Sequence, residues 1–488
     1  MDEIINSISN LVWSQALIFL CVSAGLYFSF RTGFLQITYF KRMLRLLFSG
    51  NESESGITPF QAFSLAISGR VGTGNIIGVA TAIAMGGPGA VFWMWIIAFL
   101  GSASAFIEAM LGQVYKQKID GEYRGGPAYY IEKGLGIKWY AIVFAVITIL
   151  SCGFLLPGVQ SNSISSSLNN AFQIPATEFA GIPINYPGLL VIGLLALIIF
   201  GGVKRLGKAS EFIVPFMACA YILMVMVIIF LNFEKLPTVL SLIVRSAFNQ
   251  ESLFSGIFGM AIAWGIKRGI YSNEAGQGTA PHAAAAAEVN HPVEQGLVQA
   301  FSVYIDTLFI CTATAFMILF TGQYNVNGED GNLIVENLKG VDYTGFTQAA
   351  VSKNFPSIGN GFVAISLFFF AFTTIMAYYY YAETNITYIL KKKNKRIAIW
   401  ILRIGFLTAV YYGTIKTADT AWAVGDIGVG LMAWVNVIAI LLMSGLAMKI
   451  WKDYRNQLKT GVRSPIFDPK KLGIKNADFW EEKLKDEN

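Results

Sequence analysis

The sequence predicts an all-α integral membrane protein of eleven transmembrane helices, arranged as a 5+5 inverted repeat behind one extra N-terminal helix. Three observations predict it. Of the 488 residues, 55% are hydrophobic and 14% charged, with a mean hydropathy of +0.54, whereas soluble domains carry about 25% charged residues. Apolar stretches of the ~20 residues needed to cross a bilayer recur along the chain. Lys and Arg fall unequally into the connections between them.

The expected spans are 11–30, 59–84, 90–115, 138–172, 186–203, 209–232, 254–281, 295–322, 358–390, 397–413 and 420–448. Asp2 and Glu3 precede the first and Arg31 follows it. That is the reverse of the charge order of a cleaved signal peptide, so the span is retained with its N-terminus outside. The fourth is long enough to be tilted or interrupted and contains Pro157 and Gly158. Connections 31–56, 115–138, 203–208, 282–294 and 391–396 hold 17 Lys or Arg; those on the opposite side hold 5. The positive-inside rule then places the tail from Lys449 in the cytoplasm and the chain in the plasma membrane. The net charge of +6 follows from this asymmetry and calls for no nucleic acid partner. The run Lys391–Arg396 reads as a topology determinant.

Cys21, Cys152, Cys219 and Cys311 lie in separate apolar segments without metal-ligand spacing. There is no phosphate-binding GK[ST] loop, HExxH or CxxC, and no enzyme is expected. The polar stretch 325–340 reads as an external lid or linker.

Setting the first span aside (residues 1–56 with its following connection) leaves ten. They divide into a first five-helix set, 57–235, and a second, 236–450, ahead of a tail, 451–488. Five is odd, so the second set starts from the opposite face. The first set opens with "GRVGTGN" and the second contains "WGIKRGIYSNEAGQG" in its matching span. Paired interruptions of this kind mark the binding site of a transporter. Irregular backbone at membrane depth is tolerated only where protein or a water-filled cavity covers it.

Unwinding at Val71–Asn75 frees N–H groups, which attract carboxylates, and carbonyls, which suit a hard monovalent cation. Thr73 and Asn75 add a hydroxyl and an amide, while Gly72 and Gly74 let a ligand approach the backbone. The competing reading is a glycine-rich face for tight helix packing. In the second break Lys267, Arg268 and Glu274 are ionisable groups in lipid, costing roughly 2.5–3.5 kcal/mol each; Lys267 and Arg268 are expected to pair with Glu274 or Glu108. Arg70 raises the same question. Tyr271, Ser272 and Asn273 are the neutral ligand candidates there. Thr373 and Thr374 either complete a Na⁺ shell or bond back to their own helix. Gln160 is a candidate for a substrate amine. Asp306 and Asp426 are lone acids open to cation, proton or structural roles. The tyrosines 378–381 read chiefly as packing.

"SGRVGTGNIIGVATAI", "GGPAYYIEKGLG" and "GIKRGIYSNEAGQGTAPHAAAAAE" strongly resemble the signatures of the alanine or glycine:cation symporter family, over about Ala16 to Lys452. That family is similar to LeuT-type, amino acid–polyamine–organocation transporters in its inverted five-helix repeats. The resemblance implies import of a small neutral amino acid, alanine or glycine, with Na⁺ as coupling ion; some members use H⁺ instead. It implies that Thr73, Gly74 and Asn75, with Gln160, Tyr271, Ser272, Asn273 and Tyr378, line the substrate pocket. It implies a Na⁺ site built from Ser68, Val71, Thr373 and Thr374. Relatives often carry Gly-Trp where this chain has Ala377 and Tyr378, a change that bears on substrate size. They also carry Phe at Tyr271 and Ser at Thr279.

Overall fold

Helices satisfy their own backbone groups in lipid, and helix dominates the residues described by the computed structural model: 2–49, 53–175, 177–179, 182–199, 202–390 and 395–486. Most of the expected topology determinant, residues 391–394, lies outside them. In chain order, the helices that build and frame the site are α1 (Asp2–Val12), α2 (Gln15–Thr32), α3 (Pro59–Arg70), α4 (Val79–Gly86), α5 (Gly89–Val114), α6 (Leu156–Phe172), α7 (Phe258–Asn273), α8 (Ala280–Ala285), α9 (Gly359–Leu390) and α10 (Ala418–Leu442).

Among the described residues, eight stretches are long and apolar enough to cross a membrane: 3–32, 89–114, 138–172, 206–231, 292–321, 359–390, 395–414 and 418–442. The other three expected spans lack one helix of that length. Spans 59–84 and 254–281 are each broken in two, and 186–203 holds the helix Tyr186–Ile199. The first span is longer than expected. The helix starts at Asp2, within the expected external connection 1–10, and residues 2–12 pack along α10, where Trp434 donates to the Val12 carbonyl (3.0 Å) and Trp13 to that of Asp426 (2.7 Å). The last span ends at Leu442, six residues early, and Ser444–Lys459 forms a separate helix. The fourth runs unbroken from Lys138 through a π-turn, Ser151–Leu155, into α6. Pro157 lies in the first turn of α6, and the π-turn takes up the backbone irregularity.

The connections sort to the two ends as the charge count requires. At one end Ile57 pairs with Ala287, Tyr123 N donates to Ser55 O, Gly207 lies against Ile57, and Tyr388 donates to Glu132. At the other, Gly89 lies against Ser246 and Ala247, Asn327 against Met85, and Tyr343 donates to Asp419. Among the described residues, the Lys- and Arg-rich connections therefore gather at the first, basic end. The polar stretch 325–340 forms a two-stranded hairpin, Asn325–Asn327 with Leu333–Glu336, beside the far end of α4. α5 and α7 pack through small residues: a Cβ on Gly265 would come within 2.6 Å of Trp93 Cβ, and one on Gly269 would collide with Ile97.

At the basic end the tail folds back as a clasp. Trp480, 1% exposed, donates to Gln113 O (3.0 Å), Lys483 bonds Glu288 (2.7 Å), Phe467 N donates to Asn290 O, and Lys470 reaches Glu481. Trp480→Ala removes the anchoring ring, a loss of about 3–5 kcal/mol for a buried Trp. Hydrogen exchange of residues 463–486 is expected to rise while exchange in α5 and α9 stays slow.

Candidate functional site at two facing helix breaks

Both breaks are made locally. A capping box starts α3: Thr58 Oγ1 accepts from Gln61 N (3.1 Å), the Gln61 side chain accepts from Thr58 N (3.0 Å), and Pro59 occupies the first turn. The helix stops where Val71 turns to ψ 90°, and a π-turn, Gly74–Gly78, leads into α4. The second break follows α7. Glu274 caps it in the left-handed region at φ 53°, Gly276 and Gly278 follow at φ 81° and 85°, and α8 resumes at Ala280. Tyr271, Ser272 and Asn273 are thus the last turn of α7, and 274–279 is the break itself.

The breaks face each other. A Cβ on Gly74 would lie 3.1 Å from Ser272 Cα and 3.2 Å from the Tyr271 ring; one on Gly72 would lie 2.5 Å from Thr374 Oγ1 and 2.8 Å from Gln160 Oε1. Those glycines are required by close approach. Gln160 Oε1 accepts from both Thr73 N (3.0 Å) and Thr73 Oγ1 (2.7 Å). An amide oxygen thus sits where the start of a half-helix offers N–H and O–H to an acceptor. Gly72 N is met by Asn75 Oδ1 (2.9 Å). Asn75 donates to Asp306 Oδ1 (2.6 Å), and Ser272 donates to Asp306 Oδ2 (3.0 Å), so one buried carboxylate ties the two breaks together. Thr307 donates to it as well. Asp306 lies in a π-turn, Tyr304–Cys311, of the eighth span.

Glu108 of α5 accepts from Gly276 N (3.3 Å), Gly278 N (3.0 Å) and Asn436 Nδ2 (2.7 Å), capping N–H groups that the second break exposes. Glu274 accepts from Thr279 Oγ1 (2.7 Å). Neither acid pairs with Lys267 or Arg268, contrary to expectation. Both cations turn to Asp426 of α10: Arg268 bonds it at both oxygens (2.9 Å each) and Lys267 reaches it at 2.6 Å. They project from the α7 face that looks to α10, whereas Glu274 lies past the end of the helix. Asp426, read as a lone acid, is therefore an ion-pair partner. Arg268 also stacks on Trp422 (4.6 Å) and Tyr271 (5.4 Å), roofing the far side of the site. Arg70 Nη1 bonds Gln299 O (3.1 Å) and Ser302 Oγ.

Of the residues expected to bind, Val71, Thr73, Gly74, Asn75, Gln160, Tyr271, Ser272 and Thr374 meet around the breaks. Tyr378 is buried with its hydroxyl directed at Glu274. Thr374 Oγ1 lies 3.3 Å from Val71 O and 3.0 Å from Phe370 O. Three others point elsewhere. Thr373 Oγ1 bonds Phe369 O and Phe370 O, Ser68 Oγ bonds Leu65 O (2.7 Å), and Asn273 Oδ1 turns back to Ala275 N (3.0 Å). Tyr381, expected chiefly to pack, has its hydroxyl 2.7 Å from the position of a Cβ on Gly69. The tyrosine run hid it, because four adjacent rings read as packing. Glu108 carried a signal, an acid in an apolar span, but its partners are distant in sequence.

Asp426→Asn leaves buried Arg268 and partly buried Lys267 without their counter-charge, a loss of about 3–5 kcal/mol. Thermal unfolding in detergent is expected to show a large drop for this variant and little change for Glu234→Gln at an exposed position.

Residues 1–469 match the model of the sodium:alanine symporter family. The chain is 58% identical to YrbD of Bacillus subtilis (strain 168), a carrier protein named for sodium/proton-dependent alanine transport, covering 100% of this chain and 99% of that one. It is 51% identical to the sodium/proton-dependent alanine carrier protein of Bacillus sp. (strain PS3), covering 90% and 97%. The crystal structure of MhsT in complex with L-phenylalanine superposes with a TM-score of 0.53 at 13% identity, over 82% of this chain and 99% of that one, which shows the LeuT-type fold alone. The breaks, the fold and the match over almost the whole length agree: this chain is a transporter, not an enzyme, and belongs to the sodium:alanine symporter family.

Proposed function

We propose that the chain imports alanine, and glycine, by Na⁺ symport, through alternating access between two inverted five-span repeats, 57–235 and 236–450. The N-terminus is outside and the tail from residue 451 is cytoplasmic. The observation that carries this reading is the hold of Thr73 on Gln160. The backbone N–H and hydroxyl of Thr73 converge on one amide oxygen at the start of a half-helix, a geometry that accepts a carboxylate oxygen equally well. On substrate entry Gln160 yields that place, and its amide is free for the rest of the amino acid. Gly72 and Gly74 leave no side chain in the way. The Tyr271 ring closes against Gly74 and restricts the room for a substrate side chain, as a small amino acid requires.

For the ion, Val71 O and Thr374 Oγ1 already converge, and oxygen donors suit a hard cation. Ser68 and Thr373 would join by turning their hydroxyls from their own helix carbonyls. Na⁺ bound there draws α9 to the first break and favours the substrate-competent arrangement, which is the differential affinity that coupling needs. One charge moving through 100 mV supplies about 2.3 kcal/mol. The relatives named for sodium/proton-dependent alanine transport support an amino acid substrate and a coupling cation. They also keep proton coupling as a second reading.

The test is alanine uptake into proteoliposomes under an inward Na⁺ gradient, against K⁺ at fixed pH and membrane potential. Uptake against the alanine gradient with Na⁺ alone is expected; equal uptake in both, collapsing with the pH gradient, would move coupling to protons. Thr374→Ala removes one proposed ion ligand, and the Na⁺ concentration for half-maximal uptake is expected to rise about tenfold, equivalent to ~1.4 kcal/mol. An unchanged Na⁺ dependence would remove Thr374 from the ion site.

A further inference from the structure

Among the described residues four acids lie buried around the breaks, and three have their oxygens engaged. Asp426 is held by Arg268 and Lys267, Glu108 by two backbone N–H groups and Asn436, and Asp306 by Asn75, Ser272 and Thr307. Glu274 differs. It is 1% exposed, Thr279 donates to Oε2, the Tyr378 hydroxyl is directed at the carboxyl, and Oε1 has no hydrogen-bond partner among the described residues. The neighbouring Tyr381 hydroxyl is likewise buried and without one. A buried carboxylate oxygen left open is costly unless it carries a proton or a counter-ion.

The backbone adds a second observation. Glu274 terminates α7 in the left-handed region, where glycine or asparagine is favoured and other residues bear strain of about 1 kcal/mol or more. Glycine would end this helix more easily. The side chain is what glycine cannot supply, and it reaches three elements at once. Its Oε2 lies 3.4 Å from the position of a Cβ on Gly69, two residues before the first break at Val71; Thr279 precedes α8; Tyr378 and Tyr381 are on α9. A change of charge at this point is felt by both broken helices and by the helix that carries the proposed ion ligand Thr374.

The charged and titratable groups facing it are Arg70 from α3, Asp306 from the eighth span, Tyr378 and Tyr381 from α9, Tyr271 from α7 and Cys152 from the π-turn before α6. Arg70 spends Nη1 on Gln299 and Ser302 and makes no ion pair with Glu274, while its Nε and Nη2 are without partners. It supplies a field that stabilises the anion without locking it. That combination lets a proton come and go.

We propose that Glu274 is the residue that takes up and releases a proton during the transport cycle, in place of the lone acids Asp306 and Asp426. The inference rests on the reading of the chain as a cation-coupled amino acid carrier. A proton from water on one side binds Oε1 to give the neutral carboxylic acid, is carried through the rearrangement of the breaks, and returns to water on the other side; only that O–H bond forms and breaks. Tyr381 is the adjacent hydroxyl through which it passes.

Calorimetric titration of the purified full-length carrier with alanine, in buffers of different ionisation enthalpy, counts protons exchanged per alanine bound. The wild type is expected to give a non-zero count that varies with pH, and Glu274→Gln a count of zero. In proteoliposomes, wild-type alanine flux is expected to fall by up to about tenfold per pH unit on one side of its optimum, the most that a single titrating group gives, and the flux remaining in Glu274→Gln to be flat. An unaltered proton count in Glu274→Gln overturns the proposal, as does alanine binding to the wild type with no proton exchange at any pH. Where Glu274→Gln fails to fold, Glu274→Asp and Tyr381→Phe decide: a displaced pH optimum in either supports the assignment, and the wild-type optimum in both overturns it. No alanine binding at all by the wild type would overturn the alanine reading itself, and this inference with it.

Discussion

Unwinding a helix inside a membrane is tolerable only if each freed backbone group finds a partner within the chain, and the arrangement around the breaks follows from that requirement. At the first break Gly72 N goes to Asn75, Thr73 N to Gln160, and Asn75 O accepts from Thr314. At the second, Gly276 N and Gly278 N go to Glu108, Ala275 N to Asn273, and Gly276 O accepts from Asn436. The partners outside the breaks come from α5, α6, α10 and the eighth span. Each satisfied group therefore also fixes a neighbouring helix against the centre.

The broken helices are tied to each other at both ends. At the basic end Ile57 N donates to Ala286 O and Glu288 N to Ile57 O, joining the start of α3 to the end of α8. At the far end a Cβ on Gly86 would come within 3.0 Å of Ala261, so α4 lies directly on α7. In the middle Asp306 links Asn75 to Ser272. Four half-helices thus form one central unit around the facing breaks, and the intact helices surround it.

Charge is distributed by the same logic. Low dielectric makes an unpaired ion expensive, so Lys267 and Arg268 share Asp426, backed by Trp264, Trp13 and Trp422 faces. Neutral donors saturate Glu108 and Asp306. The far side of the site is consequently closed by an ion cluster and rings, while the basic side is closed by side chains of α9 and by Glu274. The two closures differ in chemistry.

Membrane residence, the ends to which connections go, and the positions of both interruptions were legible in the sequence, because hydropathy, loop charge and glycine content are local properties. Thr73, Gln160 and Tyr271 also stand out in the sequence, since polar groups are rare in apolar spans, and the structure brings them together with Gly74 at the breaks. The helical character of residues 2–10 is not visible in hydropathy, because one face of this amphipathic segment is buried only once α10 lies beside it. Partners escaped for a related reason: Arg268 with Asp426, Glu108 with the second break, and Tyr381 beside Gly69 are pairings across 158, about 170 and about 310 residues. Composition determines that a buried charge must be answered, but which group answers it is decided by the direction of each side chain after the helices have packed.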